Sequence, residues 1–543
     1  MTAPFDTVAD AFAASAQRWP DHPFLCVLPE TAGIYGTVAG ETTYGQAQQT
    51  ILGLRAAYAA AGYGHGHRVG LLLENRAAFF WHWFALNGLG VSVVPINADL
   101  RAAELEYLVG HSEIALAVAL PGRHADLAAA ARTTGRPLVL MGPDDAPPSA
   151  PLAAPLAGQP IGARTECGLL YTSGTTGRPK GCMLDNRYYL HSGHWYATVG
   201  GMSILRPGCE RMLTPLPLVH MNAKSYSTLA TVLTGGCLIV VDRFHPATWW
   251  ESVRASGATV VHYLGVMPAM LMKAPPSADD KAHAVRFGFG AGVDRALQAP
   301  FEARFGFPLL EGWAMTETGA GAVIMAHDEP RRVGSNCFGR EGADIEVQLV
   351  ADHGGAAGVD EPGELLVRHA GADPRFGFFS AYLKDEAATS EAWEGGWFHT
   401  GDIVRRDAEG LLHFIDRRKN VIRRSGENIS AVEVESVLNQ YPGIKAVAVA
   451  ATPDAVRGDE VLACVVTLEP HAIAEREAFA RGLVEYALAR LAYYKAPGYV
   501  AFVDALPLTA SQKIQRGGLK ALAQALPGQA PCIDVRSMKK RQS

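Results

Sequence analysis

The chain has 543 residues, 48% of them apolar, and a formal net charge of −6. This length exceeds one ordinary hydrophobic core, so two or more domains are expected. Residues of both charge signs are interspersed, which excludes the extended basic field of a general nucleic-acid or membrane-surface binder and favours small-molecule partners.

Residues 1–23 contain no basic start followed by an apolar run, so they lack the pattern of a secretory signal. The longest apolar runs fall well short of a membrane span. Eight cysteines are scattered along the chain with no C-x-x-C pair. This spacing predicts reduced thiols in a cytoplasmic enzyme, and neither a disulfide framework nor a zinc site.

In the first 160 residues, helical patterns alternate with short apolar strands. Helices are predicted at 11–18, 43–62 and 79–88, strands at 67–75 and 91–97, and a further helix–strand repeat at 105–119. Such alternation is typical of a parallel sheet with helices on its faces. The Pro- and Ala-rich segment 142–160 predicts an exposed linker.

The stretch YTSGTTGRPKG at 171–181 has the composition of a phosphate-binding loop. Gly174 and Gly177 let the backbone turn tightly and bring its N–H groups close to an anion. The remaining donors are the hydroxyls of Thr172, Ser173, Thr175 and Thr176 and the ammonium of Lys180. A buried strand, CGLLYTS, precedes the loop, so it should lie at the carboxyl end of a strand, where ligands bind in open α/β sheets.

A P-loop NTPase would need the lysine directly after the last glycine of the loop. Here Arg178 and Pro179 stand between Gly177 and Lys180. The stretch therefore predicts a phosphate binder of another kind.

Two later stretches are ambiguous when taken alone. His220 follows an apolar strand in PLPLVHMNA, where a histidine is more often structural than functional. The small residues Gly290, Ala291 and Gly292 in FGFGAGV would let a flat ligand lie against the backbone, but they also suit an ordinary strand-to-helix turn.

The stretch EGWAMTETG at 311–319 brings three useful groups together. Trp313 offers a broad aromatic face, Thr316 a hydroxyl, and Glu317 a carboxylate suited to a hard divalent cation. In a chain that also carries a phosphate loop, this combination favours a nucleotide–magnesium site.

Asp402, at the end of WFHTGD, is suited to accept hydrogen bonds from ribose hydroxyls. The basic run at 415–430 would by itself be a solvated face. From residue 431 the pattern changes to that of a small α+β domain of about a hundred residues. Lys513, in a polar turn near its end, would by itself be a surface lysine.

Six stretches, in this order and spacing, resemble the motif series of the adenylate-forming superfamily, which includes acyl-CoA synthetases, adenylation domains of peptide synthetases and beetle luciferases. They are YTSGTTGRPKG, PLPLVHMNA, EGWAMTETG, WFHTGD, DRRKNVIRRSGENIS and SQKIQRGG. The RRSGENIS segment looks most like acyl-CoA synthetases of the crotonobetaine/carnitine-CoA ligase type.

The resemblance implies an α/β fold in two parts. Residues 1–417 would form a large domain of stacked sheets with flanking helices and a small barrel-like part, binding ATP and the carboxylate. Residues 418–543 would form a small, mobile α+β domain that carries the catalytic lysine, with the hinge at Lys419.

The resemblance also implies roles for individual residues. Thr172, Ser173, Gly174, Thr175, Thr176, Gly177 and Lys180 would hold the β and γ phosphates; Gly290, Ala291, Gly292, Glu311, Gly312 and Trp313 the adenine; Thr316 the α phosphate; Glu317 the magnesium; Asp402 and Arg417 the ribose. Lys513 would be the catalytic lysine of adenylation, and His220 would stand at the entrance to the carboxylate pocket. Rotation about Lys419 would exchange Lys513 for the segment 423–428, which contains Ser425, Gly426 and Glu427.

Two positions depart from the family pattern. Trp313 and Ala314 stand where tyrosine and glycine are common, and Gln512 stands where a glycine commonly precedes the catalytic lysine. Aromatic stacking would survive the first change, although Ala314 would narrow the turn. The second change leaves Lys513 itself in place and would affect only the geometry of its loop.

The implied activity is that of an ATP-dependent carboxylate–CoA ligase, with ATP, Mg²⁺ and coenzyme A as its ligands. Two alternatives stay open: loading of a carrier-protein phosphopantetheine, and a non-catalytic nucleotide-binding regulator. A homodimer is expected from the family. The acid pocket would be lined by His220, Asn222, Lys224, Tyr226, Tyr263, Val266 and Met267, a mixture that favours a short or polar acid.

Overall fold

The computed structural model describes residues 5–100, 102–172, 179–417, 420–424, 427–454, 457–469, 473–491, 493–508 and 514–539. The backbone packs into two compact units. The first comprises the described residues up to Val347 together with Val367–Phe398, and the second comprises Gln348–Leu366 and the described residues from His399 onwards. The predicted domain boundary at residue 418 falls within the second unit's sequence and stays a prediction.

The first unit contains a seven-stranded sheet that is parallel apart from one edge. Its strands, in spatial order, are β18 (Ala381–Tyr382), β8 (Lys180–Asp185), β7 (Glu166–Thr172), β4 (Ser92–Pro95), β3 (Arg68–Leu72), β5 (Leu116–Ala119) and β6 (Val139–Met141). The strands from β7 to β6 run parallel, whereas β8 and β18 each run antiparallel to their neighbours.

An eight-stranded sheet completes the strand framework of this unit. Its order is β14 (Ile324–Met325), β13 (Leu309–Trp313), β12 (Phe287–Ala291), β11 (Val260–Leu264), β9 (Arg211–Thr214), β10 (Cys237–Val240), β1 (Pro23–Val27) and β2 (Gly40–Thr43). Only the edge strands β14 and β2 pair antiparallel. Strand β15 (Cys337–Gly339) packs beside β13 and β14. The predicted parallel α/β architecture is confirmed.

Twelve α-helices and a π-helix are described in the first unit. They are α1 (Val8–Arg18), α2 (Pro29–Tyr35), α3 (Tyr44–Ala60), α4 (Ala77–Asn87), α5 (Ala102–Ser112), α6 (His124–Thr134), α7 (Asn186–Thr198), the π-helix (Asn222–Ser227), α8 (Thr228–Thr234), α9 (Trp249–Ser256), α10 (Val266–Leu271), α11 (Arg295–Phe305) and α12 (Glu386–Ala392). Helix α3 begins where Thr43 and Gln46 form a reciprocal capping box.

Helices α1, α3, α4, α7 and α8 pack on one another and contact strands of both sheets. Their shared core is aromatic: the ring of Phe12 lies 4.9 Å from that of Phe24 and 4.7 Å from that of Phe84. These rings bury large apolar areas, so the helical layer holds the strands, and the connections that follow them, in fixed positions.

The second unit contains two groups of strands. One consists mainly of β16 (Ile345–Val350), β17 (Gly363–His369), β19 (Phe398–Arg406) and β20 (Leu412–Arg417), side by side in that order. The strand ends at 345–347, 367–369 and 398 are counted in the first unit. The other has the order β22 (Glu427–Ile429), β21 (Ile422–Arg424), β24 (Gly458–Thr467), β25 (Tyr499–Phe502) and β26 (Cys532–Asp534), with β23 (Ile444–Asp454) paired to β24.

Helices α13 (Ala431–Leu438) and α14 (Ile473–Leu488) contribute to the main core of this unit, while α15 (Arg516–Ala525) packs against β23. The predicted small α+β domain is confirmed as a fold. Within the described ranges, no helix is both long and apolar enough to cross a lipid bilayer.

Candidate active site

The two ends of the predicted phosphate loop are held together by strand pairing. Strand β7 ends at Thr172 and β8 begins at Lys180, and these two residues lie opposite each other in the antiparallel pair. The loop therefore connects two antiparallel strands, unlike a P-loop, which leads from a strand into a helix. Its central residues Ser173, Gly174, Thr175, Thr176 and Gly177 lie outside the described residues.

Glu317 lies next to both ends of this loop. The Tyr382 hydroxyl donates a 2.9 Å hydrogen bond to Oε1 of Glu317, and the Thr172 hydroxyl lies 3.5 Å from the same oxygen. The Lys180 ammonium lies 4.7 Å from the centre of the Tyr382 ring. Three residues from two separate motifs thus lie around Tyr382, namely Thr172, Lys180 and Glu317.

The carboxylate of Glu317 fits a magnesium ion. Glu317 is buried, and within the described part of the chain no lysine, arginine or histidine nitrogen lies within 4 Å of it. A buried carboxylate without a cationic partner is costly unless a cation is supplied. Magnesium is commonly held by one or two carboxylates together with phosphate oxygens, so Glu317 is suited to hold it beside a nucleotide.

On the side predicted to bind adenine, the carboxylate of Glu311 turns back into the protein. It accepts hydrogen bonds from the Tyr263 hydroxyl at 2.5 Å, the Gly292 N–H at 2.7 Å and the Val293 N–H at 3.3 Å. Burial raises the pKa of Glu311, and the three donors act in the opposite direction. Glu311 therefore holds the end of β12 against β13, while Ala291 at that end remains exposed.

This turn needs glycine because backbones approach closely there. A Cβ atom placed on Gly265 would lie 1.7 Å from the Gly292 carbonyl oxygen, and one on Gly290 would lie 2.3 Å from the Tyr263 carbonyl oxygen. Gly292 itself has a φ of 79°, in the left-handed region that favours glycine. Close packing therefore requires glycine at positions 265 and 290, and backbone conformation favours it at 292, whatever the turn binds.

Trp313 and its neighbours lie on and just after β13. The indole is 7% exposed, and its ring lies 6.2 Å from that of Phe338. Gly312 leaves room for the Phe289 ring, which a Cβ there would approach to 2.6 Å. The backbone carbonyl of Thr316 accepts a 2.9 Å hydrogen bond from the Tyr188 hydroxyl. The nucleotide contacts assigned to these residues stay predictions.

His220 is exposed and stands just before the π-helix, where its carbonyl accepts the Lys224 N–H at 3.2 Å. Four residues expected in the acid pocket are buried: Lys224, Tyr226, Tyr263 and Met267. The Tyr226 hydroxyl donates to the Gly319 carbonyl at 2.9 Å. These four side chains are therefore shielded from solvent in this structure, and their part in binding an acid stays a prediction.

Lys224 is the least expected of these buried groups. Its ammonium donates to the Tyr189 hydroxyl at 2.9 Å and lies 4.5 Å from the centre of the Trp83 ring. No carboxylate lies within 4 Å of it in the described part of the chain. Burial lowers the pKa of Lys224 to about 7.

In the second unit, the two residues predicted to hold ribose are adjacent. Asp402 and Arg417 are cross-strand partners in β19 and β20, and Nε of Arg417 lies 2.5 Å from Oδ1 of Asp402. The Asp402 side chain is 1% exposed and that of Arg417 is 40% exposed. Lys419, Ser425, Gly426 and Lys513 lie outside the described residues, and of Glu427 only the backbone, in β22, is described.

The chain matches the AMP-binding enzyme family over residues 12–374 and the C-terminal domain of AMP-binding enzymes over residues 433–513. The chain belongs to the AMP-binding enzyme family. The predicted membership of the adenylate-forming superfamily is thereby confirmed.

Two curated relatives extend over nearly the whole chain. Sulfoacetate–CoA ligase of Cupriavidus necator is 31% identical over 535 residues, 96% of this chain and 98% of the relative. Crotonobetaine/carnitine–CoA ligase of Shigella flexneri is 29% identical over 500 residues, 89% of this chain and 94% of the relative. A solved o-succinylbenzoate CoA synthetase of Bacillus subtilis, bound to its acyl-adenylate, has a TM-score of 0.78 at 24% identity and covers 94% of this chain and 97% of its own.

These matches confirm the predicted activity in its general form, which is ATP-dependent joining of an acid to coenzyme A by an AMP-forming ligase. They also confirm ATP and CoA as its ligands, while Mg²⁺ stays a prediction. Tyr382 was not predicted from sequence. It lies in the stretch FFSAYLKDEAAT, 65 residues from Glu317, and this stretch contains no motif that would indicate a functional residue.

Proposed function

We propose that this enzyme activates a short or polar carboxylic acid as its acyl-adenylate and transfers the acyl group to free CoA. The observation that carries the proposal is the meeting of Thr172, Lys180 and Glu317, because one hydroxyl, one ammonium and one carboxylate are the groups that an ATP–magnesium complex needs.

The polar acids in the names of the two curated relatives, sulfoacetate and crotonobetaine or carnitine, support a small polar substrate. The polar groups near the predicted pocket, His220 and Asn222, point in the same direction. Asn222 is held in place, because its Oδ1 lies 2.7 Å from Nδ1 of the buried His262.

The chemistry requires an anionic carboxylate to approach an anionic α phosphate while pyrophosphate departs. Magnesium would supply positive charge at the phosphates, with Glu317 as its protein ligand. Lys180 and the loop donors would bind the departing phosphates, and Lys513 would stabilise the charge on the reacting phosphate. Asp402 and Arg417 would hold the ribose, and Thr316 the α phosphate.

We assign the second step to a different set of residues. In this scheme rotation about Lys419 removes Lys513 and brings the segment 423–428, with Ser425, Gly426 and Glu427, into use for thioester formation. This assignment follows the family pattern, and the match to the C-terminal domain of AMP-binding enzymes over residues 433–513 supports it.

The test separates the two half-reactions in a K513A variant. Adenylation, measured as acid-dependent pyrophosphate–ATP exchange, should fall at least a hundredfold because a preorganised charge is removed. Thioester formation from supplied acyl-AMP and CoA should be retained. Lys520→Ala removes an exposed lysine from α15 and serves as the matched control. Equal loss of both steps would contradict the division of labour.

A panel of carboxylic acids in a pyrophosphate-release assay would identify the substrate class. Dependence of AMP release on free CoA distinguishes a CoA ligase from an enzyme that loads a carrier protein, and any pyrophosphate release distinguishes both from a nucleotide-binding regulator. We further propose a cytoplasmic homodimer, which size-exclusion chromatography with light scattering and cell fractionation would test.

A further inference from the structure

Tyr382 connects two side chains to which the proposed function gives separate tasks. It lies on β18, whose backbone pairs with β8, so that Tyr382 faces Cys182, two residues after Lys180. Its own N–H donates to the Thr389 hydroxyl at 3.0 Å. The ring is 8% exposed and therefore has a fixed position.

The hydroxyl of Tyr382 fixes the orientation of the Glu317 carboxylate. Its 2.9 Å hydrogen bond occupies Oε1, and the Phe379 N–H holds the Glu317 backbone carbonyl at 2.8 Å. Strand β18 and the residues before it thus hydrogen-bond to both the backbone carbonyl and the side-chain carboxylate of Glu317. The Tyr382 hydroxyl is the donor in this bond, because an ionised carboxylate can only accept.

The face of the same ring receives the Lys180 ammonium at 4.7 Å from its centre. A cation over an aromatic face is attracted only weakly, so an incoming phosphate can take the lysine away. Within the described residues Lys180 makes no ion pair with Glu317, which leaves the carboxylate charge available to a metal ion.

We propose that Tyr382 is a positioning residue for the nucleotide–metal site: its hydroxyl orients Glu317 toward the cation, and its ring holds Lys180 ready for a phosphate. The inference rests on the proposed function of Glu317 and Lys180, and it adds the residue that holds both side chains in position. Because the two tasks use different parts of one side chain, substitution can separate them.

The test compares Y382F, which loses only the hydroxyl, with Y382L, which loses hydroxyl and ring. Binding of Mn²⁺ in the presence of α,β-methylene-ATP is followed by electron paramagnetic resonance, and binding of the same analogue in EDTA is followed by calorimetry. No acid substrate is needed, and the analogue cannot react because the bond that would break is replaced. Tyr58→Phe, which removes another buried hydroxyl, bonded at 2.7 Å to His82, is the control.

Y382F should weaken Mn²⁺ binding about tenfold, the effect of losing one hydrogen bond to a charged group, and should leave analogue binding in EDTA within about twofold. Y382L should in addition weaken analogue binding in EDTA about threefold, because Lys180 is no longer held in place. Tyr58→Phe should change neither affinity.

Unchanged Mn²⁺ affinity in Y382F would overturn the role of the hydroxyl, and unchanged or tighter analogue binding in Y382L would overturn the role of the ring. A Y382F protein that melts well below the Tyr58→Phe protein would show that the hydroxyl serves packing, which also overturns the proposal. If the unmodified enzyme binds no Mn²⁺–analogue complex, the proposed function itself fails, and this result is distinct from the others.

Discussion

Replacing Lys224 with methionine should stabilise the enzyme, and more so at low pH. The ammonium is fully buried between Tyr189 and Trp83, with no carboxylate within 4 Å in the described part of the chain. Keeping such a group charged costs free energy that an apolar side chain of similar volume does not. Methionine is flexible and unbranched, so it can follow the path of the lysine stem.

The size of the effect follows from the pKa of Lys224, which burial lowers from its usual 10.5 to about 7. Between these values the unfolded chain binds more protons than the folded one, so the stability of the unmodified enzyme rises with pH across this window. Burial of Lys224 therefore lowers the free energy of unfolding by about 5 kcal/mol at pH 6 and by about 2 kcal/mol at pH 9. Allowing about 1 kcal/mol for the lost hydrogen bond to Tyr189, K224M should gain about 4 kcal/mol at pH 6 and about 1 kcal/mol at pH 9.

Urea unfolding at pH 6, 7.5 and 9, followed by tryptophan fluorescence, measures these differences. Lys281→Met, at an exposed lysine, is the matched control and should shift stability by less than about 0.5 kcal/mol at every pH. The reasoning is refuted if K224M is less stable than the unmodified enzyme at pH 6, or if its advantage does not shrink between pH 6 and pH 9.

Two further predictions concern packing in the two units. G265A should destabilise the first unit by about 3 kcal/mol, because its Cβ would lie 1.7 Å from the Gly292 carbonyl oxygen. In the control variant G33A the added methyl group meets open space, so its free energy of unfolding should be nearly unchanged. Urea unfolding measures both. E460Q should lower the free energy of unfolding by about 3–5 kcal/mol, because the buried Glu460 carboxylate lies 2.8 Å from Arg424 and 2.5 Å from Lys539. K539M leaves the Arg424–Glu460 pair in place, so it should lower the free energy of unfolding by less than about 1 kcal/mol. Equal unfolding midpoints for the last two variants would show that the carboxylate is not the centre of this cluster.

The residues of the candidate site could be singled out from the sequence because they occur in short, dense motifs. The glycines and hydroxyls at 171–181 and the Trp–Thr–Glu set at 313–317 have few structural explanations when they occur together. Backbone geometry also agrees with the sequence at FGFGAGV, where close approach leaves no room for a side chain at Gly290 and Gly292 has a positive φ.

Other features had no local signal. Glu311 was assigned to adenine, yet its carboxylate binds the Gly292 and Val293 N–H groups and the Tyr263 hydroxyl, a geometry set by the pairing of β12 with β13. The Asp402–Arg417 contact likewise depends on the register of β19 and β20.

The sequence by itself determined the strand–helix alternation and the family, since periodicity and motif chemistry are local properties of the chain. Only the tertiary structure decided that Tyr382 joins Glu317 to Lys180 and that Lys224 is buried without a carboxylate partner in the described part of the chain. Such contacts join residues far apart in sequence, and their existence depends on how sheets and helices pack, which no short window of residues specifies.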